Sequence, residues 1–320
     1  MLTKIMFVLA AAMLAASPAQ AQLAGKKILF VNSYHQGYEW SDGEEAGAQA
    51  VLASTGATLT FFRMDTKRHQ DEAFRKQAGV DARAAIEAQK PDLVILSDDP
   101  AVKYVLVPFF KDASIPFVFC GVNWEAGKYG LPFKNATGMT EVALVKELLD
   151  NMKEYAKGTR LGFLTVDSET ERIELPFLKK ALGLNFAQEK LVKTTAEWKD
   201  AFAKMQAETD MVLLGNVAGI VDWNEADADA FAAANSKVIT GGTYDFLMPL
   251  VMLGFTKVAE EQGQWAAKAA IDILKGKPAG TIPIAANKQA KILINPKLAA
   301  KAGIVFKPDL VRNAQVAAAK

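Results

Sequence analysis

The residues best suited to chemistry follow a short apolar run near the start of the chain. The run at 28–31 has the length and composition of a buried strand, and the segment after it carries Tyr34, His35, Tyr38 and Trp40. Aromatic rings supply rigid apolar faces, and those of Tyr and Trp add a polar group at one end. We therefore expect Tyr34, Tyr38 and Trp40 to form one wall of a binding pocket.

A pair of carboxylates, Asp98 and Asp99, follows a second apolar run at 93–96. In a functional reading, Asp98 meets an ammonium or hydroxyl group of a ligand, while Asp99 caps a helix that begins with Pro100. Alternatively, both carboxylates serve the helix N-terminus, where negative charge is favoured. We interpret Asp99 as the cap and leave both roles open for Asp98.

Polar and aromatic residues also follow the apolar runs of the second half of the chain. Asp167, Ser168 and Thr170 come after the run at 161–166, where free N–H groups at a helix start could bind a carboxylate. Simple capping of the helix by Ser168 is the alternative. Further candidates at strand ends are Asn216, Thr243, Tyr244 and Asp245, with a packed turn as the alternative for Tyr244.

No segment has the pattern of a known catalytic motif. A phosphate-binding loop, a dinucleotide fingerprint, a nucleophile elbow and a zinc-type histidine pair are all absent from the sequence. Of the two histidines, we interpret His69 as a solvated surface residue and His35 as either a ligand-binding group or a hydrogen-bonded loop residue. We expect no enzymatic activity, no cofactor and no metal site, with an enzyme that uses His35 and Asp98 or Asp99 as an alternative.

Apolar runs of strand length alternate with segments of helical period. Several runs are apolar without alternation, as expected for parallel strands that are covered on both faces. The order βαβαβ predicts α/β architecture with doubly wound parallel sheets. The predicted strands are 27–31, 57–64, 93–96, 117–120, 161–166, 211–214 and 237–240. The predicted helices are 42–54, 70–89, 101–111, 142–155, 170–182, 196–207, 225–234 and 255–274. Capping boxes are predicted at Ser41 with Glu44, at Ser168 with Glu171 and at Thr194 with Glu197.

A glycine- and proline-rich passage at 123–138 separates two similar α/β series. We predict an N-terminal lobe made of 22–140 plus about 252–284, and a C-terminal lobe made of 141–251 plus about 285–320. In an open α/β sheet, ligands bind at the carboxyl ends of the strands. We therefore expect the ligand to lie between two lobes whose carboxyl edges face each other.

The first 21 residues predict export from the cytoplasm. Lys4 precedes an apolar run at 5–16 and a small-x-small triplet at 19–21, the pattern of a secretory signal peptide cleaved after Ala21. Loss of Lys4 reduces the 37 basic residues to 36, equal to the 36 acidic ones. This balance disfavours nucleic acid as a partner. Cys120 is the only cysteine, so we expect no intramolecular disulfide.

Several segments resemble the family of ABC-transporter substrate-binding proteins with the type I periplasmic-binding fold, in the branch that includes tryptophan- and tyrosine-type binding proteins. They are "VNSYHQGYEW", "LSDDPAVKYV", "FVFCGVN", "GFTKVAEEQGQWAAKAAIDILKGKPAGTIPI" and "LINPKLAAKAGI". The resemblance implies two Rossmann-like lobes, a hinge of three strands and closure on a small solute. The ligand-binding residues that we predict are Ser33, Tyr34, His35, Tyr38, Trp40, Ser97, Asp98, Asn123, Trp124, Asp167, Ser168, Thr170, Asn216, Thr243, Tyr244 and Asp245.

The function that we predict is a monomeric periplasmic solute-binding component of an ABC transporter. Its solute would be a small organic molecule that is aromatic, amino-acid-like or a carboxylate, and its partner an inner-membrane permease. The alternative is a periplasmic ligand-binding partner of a membrane sensor kinase or cyclase, with the sensor ectodomain as the partner. The transporter component and the sensor partner would have the same kind of binding site.

Overall fold

The computed structural model describes residues 23–69 and 71–317. Its contacts divide the chain into two compact units. The first unit comprises residues up to 120, 129–138 and 263–283, and the second comprises 121–128, 139–262 and 284 onward. The predicted signal peptide lies outside the described residues.

Strands and helices alternate along most of the chain, as the sequence pattern predicts. The strands are β1 (Lys27–Asn32), β2 (Thr58–Arg63), β3 (Leu93–Ser97), β4 (Phe117–Asn123), β5 (Ala136–Glu141), β6 (Leu161–Val166), β7 (Gln188–Val192), β8 (Met211–Leu214), β9 (Ile239–Gly242), β10 (Leu253–Lys257), β11 (Ala285–Ala286), β12 (Ala290–Ile294) and β13 (Gln315–Val316). The α-helices are α1 (Glu39–Leu52), α2 (Glu72–Gln89), α3 (Asp98–Ala101), α4 (Val145–Lys153), α5 (Glu169–Leu182), α6 (Thr195–Glu208), α7 (Glu225–Asn235), α8 (Ala259–Leu274), α9 (Pro296–Lys301) and α10 (Pro308–Asn313).

The first sheet has the strand order β11-β5-β4-β3-β1-β2. Strand β1 pairs in parallel with β2 and β3, and β3 pairs in parallel with β4. Strand β3 is buried along its whole length, and β1 is buried beyond Lys27. Both faces of this sheet are covered, so the side chains on either side of these strands are apolar. Polar and apolar residues therefore do not alternate along these runs.

Helix α8 covers this sheet next to α1. Ile28, Phe30 and Ile95 pack in one core cluster with Ala266 and Ala270 of α8. The two helices approach so closely that a Cβ added at Gly263 would lie 1.8 Å from the carbonyl oxygen of Glu44. Glycine is therefore required at this crossing.

A π-helix, Val102–Phe110, follows α3 directly. It contains Pro108, which lacks an N–H group and so cannot make a regular α-helical hydrogen bond. At Gly79 of α2, an added Cβ would lie 2.3 Å from the carbonyl oxygen of Tyr104 in this π-helix. The Tyr104 hydroxyl also donates a 2.6 Å hydrogen bond to Glu72. These contacts fix α2 against the segment that follows the Asp98 loop.

The second sheet has the strand order β13-β12-β10-β9-β8-β6-β7. Its pairs are parallel except β10 with β12, which is antiparallel. Trp198 and Phe202 of α6 are fully buried against this sheet, with their rings stacked at a centroid distance of 4.9 Å. Helix α4 packs with β6 and β10 in a second hydrophobic core cluster of this unit. Both faces of the second sheet are therefore covered as well.

Buried polar side chains brace the segments that cross between the units. The chain crosses after residues 120, 128, 138, 262 and 283. Within the second unit, the fully buried Gln262 accepts the N–H of Gly121 at 3.0 Å and donates to the carbonyl oxygen of Thr140 at 3.3 Å. The buried Asn287 accepts the N–H of Val142 at 2.7 Å. Two amide side chains thus bind backbone groups just after two of the crossings, those that follow residues 120 and 138.

The structure corrects the long helix predicted at 255–274. Residues 253–257 form strand β10, and α8 begins only at Ala259. An apolar stretch as short as this fits both the helical and the strand period, and here its pairing with β9 and β12 selects the strand. By its contacts, the chain returns to the first unit at residue 263. Strands β5 and β7 were also not predicted.

Two of the predicted helix caps are wrong. Helix α1 begins at Glu39, before Ser41, and the Ser41 hydroxyl donates a 3.0 Å hydrogen bond to the side chain of Asn32. Helix α3 begins at Asp98, so Asp99 lies inside it, where its carboxylate accepts the Tyr129 hydroxyl. In both cases the side chain that was predicted to cap the helix forms a hydrogen bond with a side chain outside the helix instead.

The other two predicted caps are confirmed at their N-cap residues. Thr194 and Glu197 form the complete capping box at α6. Ser168 accepts the N–H of Glu171 at 3.2 Å and so caps α5. The Glu171 carboxylate accepts a 2.7 Å hydrogen bond from Thr165, so this side chain ties the helix to β6.

Candidate functional site

In the first unit, the predicted site residues lie on the loops that follow β1, β2 and β3. These strands are parallel neighbours, so their carboxyl ends share one edge of the sheet. The three loops are joined there by hydrogen bonds, and most of the bonded groups are buried. We call this surface the carboxyl edge of the first unit.

Asn32 sets the shape of the loop that follows β1. Its buried side-chain oxygen accepts the N–H of Tyr34 at 2.8 Å and the Ser41 hydroxyl at 3.0 Å. Its amide nitrogen donates to Glu45 at 3.0 Å, and Glu45 also forms an ion pair with Arg63 of β2. The start of the aromatic loop is therefore fixed from both sides.

Ser33 and Ser97 tie the loops to one another. Ser33 is fully buried, and its hydroxyl donates to the carbonyl oxygen of Ser97 at 2.5 Å and accepts the N–H of Ala101 at 2.8 Å. The Thr66 hydroxyl donates to the carbonyl oxygen of Ser33 at 2.7 Å. Ser97 is also fully buried. The two predicted serines, Ser33 and Ser97, thus fix the loops that follow β1 and β3.

Tyr34 and Tyr38 form an aromatic pair that holds a lysine. Their rings pack edge to face with centroids 5.5 Å apart. The ammonium nitrogen of Lys67, on the loop after β2, lies 5.0 Å from the Tyr34 centroid and 4.8 Å from the Tyr38 centroid. An ammonium over an aromatic face is attracted by the electron-rich ring. The predicted aromatic wall therefore carries a positive charge on its ring faces.

His35 pairs with a carboxylate that the sequence analysis did not select. Its Nδ1 lies 3.6 Å from a carboxylate oxygen of Asp65, and Asp65 also accepts two hydrogen bonds from Arg68, at 2.7 and 2.6 Å. His69 approaches the same carboxylate, with Nε2 at 3.6 Å. Hydrogen bonding by Arg68 holds the pKa of Asp65 below its usual value, and the charges of Arg68, His69 and His35 add to this effect.

Asp98 and Asp99 are held by aromatic donors. The Trp40 indole N–H donates to the buried Asp98 carboxylate at 3.2 Å. The Tyr129 hydroxyl donates to Asp99 at 2.7 Å. Burial, followed by the nearby charge of Asp99, raises the pKa of the Tyr129 phenol far above its usual value, so this hydroxyl stays protonated. The carboxylate pair is therefore built into the edge by Trp40 and Tyr129.

The backbone is strained at three loops that carry candidate residues. Asp65, Asp98 and Trp124 have φ angles of 57°, 67° and 63°, in the left-handed region that non-glycine residues avoid. Each such residue costs about 1–3 kcal/mol, and strained residues cluster at functional sites. These positions follow β2, β3 and β4; Lys90 and Asp112, which have no candidate role, are left-handed as well, so this conformation fixes turns and does not by itself assign a function.

In the second unit, Trp124 packs edge to face on Phe177 of α5, with centroids 5.4 Å apart. Its backbone N–H donates to the carbonyl oxygen of Glu141 at 2.9 Å. The carbonyl oxygen of Asn123 accepts the ammonium of Lys128 at 3.0 Å. Asn123 and Trp124 therefore occupy a well-fixed turn at the end of β4.

Asp167 and Ser168 have structural partners. Arg172 binds the Asp167 carboxylate through two nitrogens, at 2.5 and 2.8 Å, and Lys193 lies 3.7 Å away. Hydrogen bonding by Arg172 lowers the pKa of Asp167. Thr170 belongs to the first turn of α5, but its side chain falls outside the part of the chain that the structure describes.

The remaining predicted residues follow β8 and β9. The side-chain oxygen of Asn216 accepts the N–H of Ala218 at 2.8 Å, which closes the loop locally. Tyr244 stacks on Phe246 with centroids 5.1 Å apart. Asp245 accepts a 2.7 Å hydrogen bond from Lys291, and Thr243 is buried. Tyr244 thus packs against a neighbouring ring and a core cluster at this end of the second sheet.

Three candidates were missed by the sequence analysis: Lys67, Tyr129 and Phe177. Lys67 had a usable signal, because it comes just after β2, a parallel neighbour of β1, and so belongs to the same edge. Tyr129 lies in the irregular passage between the two α/β series, and Phe177 lies within α5. Only tertiary packing brings these two rings to Asp99 and Trp124.

Neither a metal centre nor a membrane span is visible in residues 23–69 and 71–317. These residues contain no group of three or more His, Cys, Asp or Glu side chains that could hold a metal ion. None of their helices is both long and apolar enough to cross a membrane.

Solved structures similar to this chain share its fold. A ligand-free, open substrate-binding protein with adhesive properties from Clostridium difficile has 16% identity, with 92% of this chain and all of that chain covered, and a TM-score of 0.73. An ABC domain in complex with L-Trp from Streptococcus pneumoniae has 17% identity, coverage of 91% and 99%, and a TM-score of 0.56. A periplasmic ribose ABC transporter structure from Conexibacter woesei has 16% identity, coverage of 92% and 99%, and a TM-score of 0.55. The fold is thus the α/β type I periplasmic-binding-like fold.

Sequence comparison identifies the family. No curated protein matches the chain. The family model described as ABC transporter substrate binding protein matches residues 73–317, which is more than half of the chain. The proteins of this family are binding proteins. This chain therefore belongs to the family of ABC-transporter substrate-binding proteins.

Proposed function

We propose that the chain is the periplasmic solute-binding component of an ABC transporter, and that the carboxyl edge of the first unit contributes to its solute site. The observation that carries the proposal is the convergence of three loops on this edge. Tyr34, Tyr38 and Trp40 come from the loop after β1, Lys67 from the loop after β2, and Asp98 from the loop after β3. Membership of the family supports a small-molecule ligand and a permease partner.

Pre-organisation supports this edge as a binding surface. A loop that is already ordered loses little conformational entropy when a ligand binds, so more of the contact energy appears as affinity. Asn32, Ser33 and Thr66 supply this order through hydrogen bonds that are already formed. The proposed site is therefore a rigid surface with rings, an ammonium and a carboxylate fixed in place.

We include the candidate residues of the second unit in the proposal as a second set of contacts with the solute. Trp124 and Tyr244 present rings, while Asp167 and Asp245 already pair with Arg172 and Lys291. Enclosure of the solute by both lobes, with closure favoured by the bound state, remains a prediction. The proposal includes export through the signal peptide predicted at 1–21, so we expect the protein to act in the periplasm.

The proposal is tested by replacing the two tyrosines. A thermal-shift screen of aromatic, amino-acid and carboxylate solutes should identify a compound that stabilises the wild-type protein. Tyr34→Ala and Tyr38→Ala should weaken its binding, measured by titration calorimetry, by about 10- to 100-fold, the loss expected for a buried aromatic contact. Tyr155→Ala is the matched control, because Tyr155 packs on Phe306 in the second unit. Unchanged affinity in both edge variants would contradict the proposal.

The membrane partner is tested separately. We expect the solute-bound protein to capture an ABC permease from solubilised membranes more strongly than the solute-free protein does. Solute-dependent capture of a sensor kinase or cyclase would contradict the transporter role and would leave the solute site in place.

A further inference from the structure

We propose that the second unit contains a further binding site, for a small amphipathic anion of the medium-chain carboxylate class. The site is a cavity of about 460 Å³ lined by residues of α7, α9 and β13 and by the turn at Met248. None of its lining residues is among the candidate solute residues. The inference therefore goes beyond the proposed function and does not depend on it.

The lining of the cavity is mostly apolar. Met248 and Leu298 are 4% and 3% exposed, and both line it together with Ala233 of α7 and Val316 of β13. Pockets that bind small molecules measure about 300–1,000 Å³ and combine an apolar lining with a few polar groups. A methionine side chain also adapts readily to the shape of an apolar ligand. The size and the lining of this cavity therefore fit a short apolar chain.

Hydrogen bonds hold the elements that line the cavity in place. The Asn295 side chain accepts the N–H of Leu298 at 3.0 Å and donates to the carbonyl oxygen of Met248 at 3.0 Å. The N–H of Ala317 donates to the carbonyl oxygen of Ile294 at 2.9 Å. These bonds join α9, the turn at Met248 and β13. Because these elements are already ordered, a ligand loses little of its contact energy to ordering them.

Two lysines of α9, Lys297 and Lys301, line the same cavity and are exposed. In the described part of the chain, neither ammonium group forms an ion pair or a hydrogen bond. Like charges four residues apart on a helix repel each other. An anionic group bound between the two ammonium groups offsets this repulsion and accepts charge-assisted hydrogen bonds from them. The lysine pair therefore favours an anion.

The distribution of charge around the cavity shows where this anion binds. The lining contains one carboxylate, Asp229 of α7, against the two ammonium groups of α9. Glu225, also on α7, lines an adjoining depression that shares Asp229 with the cavity. The carboxylates thus belong to α7 and the ammonium groups to α9. The anionic group is therefore favoured on the α9 side, with the apolar chain against Met248 and Leu298.

Val316 favours an anion with an apolar chain over a small polar anion. This side chain lines the cavity and is 64% exposed. A ligand chain that covers it removes apolar surface from water, which is favourable. A phosphate or acetate ion would meet the lysines but would leave this surface exposed.

The test uses octanoate, the neutral octanamide and the cationic octylamine as probes. Carbon-13 labelling of the methionine methyl groups gives an NMR signal for Met248, which is assigned with Met248→Leu. We expect octanoate to shift this signal and to bind at least about tenfold more tightly than either other probe, because only octanoate makes charge-assisted contacts with the lysines. In Lys297→Gln/Lys301→Gln, octanoate and octanamide should bind about equally. Val316→Asp should weaken octanoate binding, since the new carboxylate repels the anion.

The matched control is Lys146→Gln/Lys153→Gln, which removes two exposed lysines of α4 that pair with Asp150. This variant should retain the wild-type preference for octanoate. Equal affinity of the wild type for the three probes would overturn the inference. An unchanged preference in Lys297→Gln/Lys301→Gln, or the absence of any response of the Met248 signal to octanoate, would also overturn it.

Two further measurements separate this site from the solute site and from a membrane surface. The Tyr34→Ala/Tyr38→Ala variant should bind octanoate at Met248 as the wild type does, and loss of this binding would overturn a separate site. Wild type and Lys297→Gln/Lys301→Gln should sediment equally with phosphatidylglycerol vesicles. Sedimentation that is lost in the lysine variant, in a protein whose Met248 signal ignores octanoate, would overturn the inference in favour of a lipid surface.

Discussion

The indole N–H of Trp40 donates a 3.2 Å hydrogen bond to the carboxylate of Asp98, which is only 2% exposed. The two residues are 58 positions apart in the sequence. Their contact joins the loop after β1 to the loop after β3, so the aromatic loop and the carboxylate pair form one structural group. A substitution at either residue should therefore affect both loops.

We expect Trp40→Phe to destabilise the protein by about 1–3 kcal/mol, the cost of removing a donor from a buried charged acceptor. The free energy of unfolding by urea measures this. In the Trp40→Phe/Asp98→Asn double variant the loss should be smaller than the sum of the single losses, because one change removes the donor of this hydrogen bond and the other removes the charge that strengthens it. Trp265→Phe in α8 is the control for the change in ring size. Additive losses would show that the two side chains act independently.

Gln262→Leu should destabilise the second unit by about 2–4 kcal/mol, since it leaves the N–H of Gly121 and the carbonyl oxygen of Thr140 buried without this partner. Hydrogen exchange of the amide of Gly121 should become faster in the variant. Gln77→Leu is the matched control, because Gln77 lies on the exposed face of α2 and donates to Asp81. A Gln262→Leu protein as stable as the wild type would contradict this role for the side chain.

Gly263→Ala should destabilise the first unit by about 1–3 kcal/mol or more, because the new methyl group would meet the carbonyl oxygen of Glu44 at 1.8 Å. Helices α1 and α8 would have to separate to accept it. Gly127→Ala is the control, since an added Cβ there meets no atom within 4 Å and the backbone is not left-handed. Thermal unfolding of the two variants measures the difference. Equal melting temperatures would show that the two helices can separate without cost.

Asp210 should make stability depend on pH in the acid range. Its carboxylate accepts hydrogen bonds from the side chain and the backbone N–H of Arg160, which lower its pKa below the usual value. A depressed pKa in the folded state stabilises the protein above the unfolded pKa of about 3.9, and this contribution is lost as the pH falls through the folded pKa.

Asp210→Asn should therefore be less stable than the wild type at pH 7, and the difference should shrink below about pH 4. Urea unfolding at a series of pH values measures this convergence. Asp81→Asn, on the exposed face of α2, should show little difference at any pH. A constant difference between wild type and Asp210→Asn would show that the loss is not electrostatic.

Much of the fold could be predicted, because buried parallel strands leave a direct mark in the sequence. Strands β6 and β8 have the predicted bounds. Strands β1 and β3 extend one residue beyond the predicted end, and β2 is one residue shorter at each end than predicted. Strand β7 was missed because its residues, "QEKLV", are mostly polar, as is common for a strand with only β6 as a neighbour. Strand β10 was read as helix because its short apolar stretch fits both periods.

The candidate site could be predicted only in part. The position of Tyr34, Tyr38 and Trp40 follows from the rule that loops after parallel strands share one edge. The hydrogen-bond partners do not follow from it. The left-handed turn after β2 brings Asp65 next to His35. Tyr129 binds Asp99 from a 3₁₀ turn that has no periodic signal in the sequence. These contacts join distant parts of the chain, and no local pattern encodes them.

Native mass spectrometry of the gently purified protein, after incubation with a bacterial metabolite extract, tests solute binding at the carboxyl edge of the first unit most directly. We expect one small molecule bound to each wild-type chain, released on denaturation, and a much lower occupancy in the Tyr34→Ala/Tyr38→Ala double variant. Absence of any retained molecule in the wild type would contradict the solute-binding function. Equal occupancy in the double variant would contradict the proposed site.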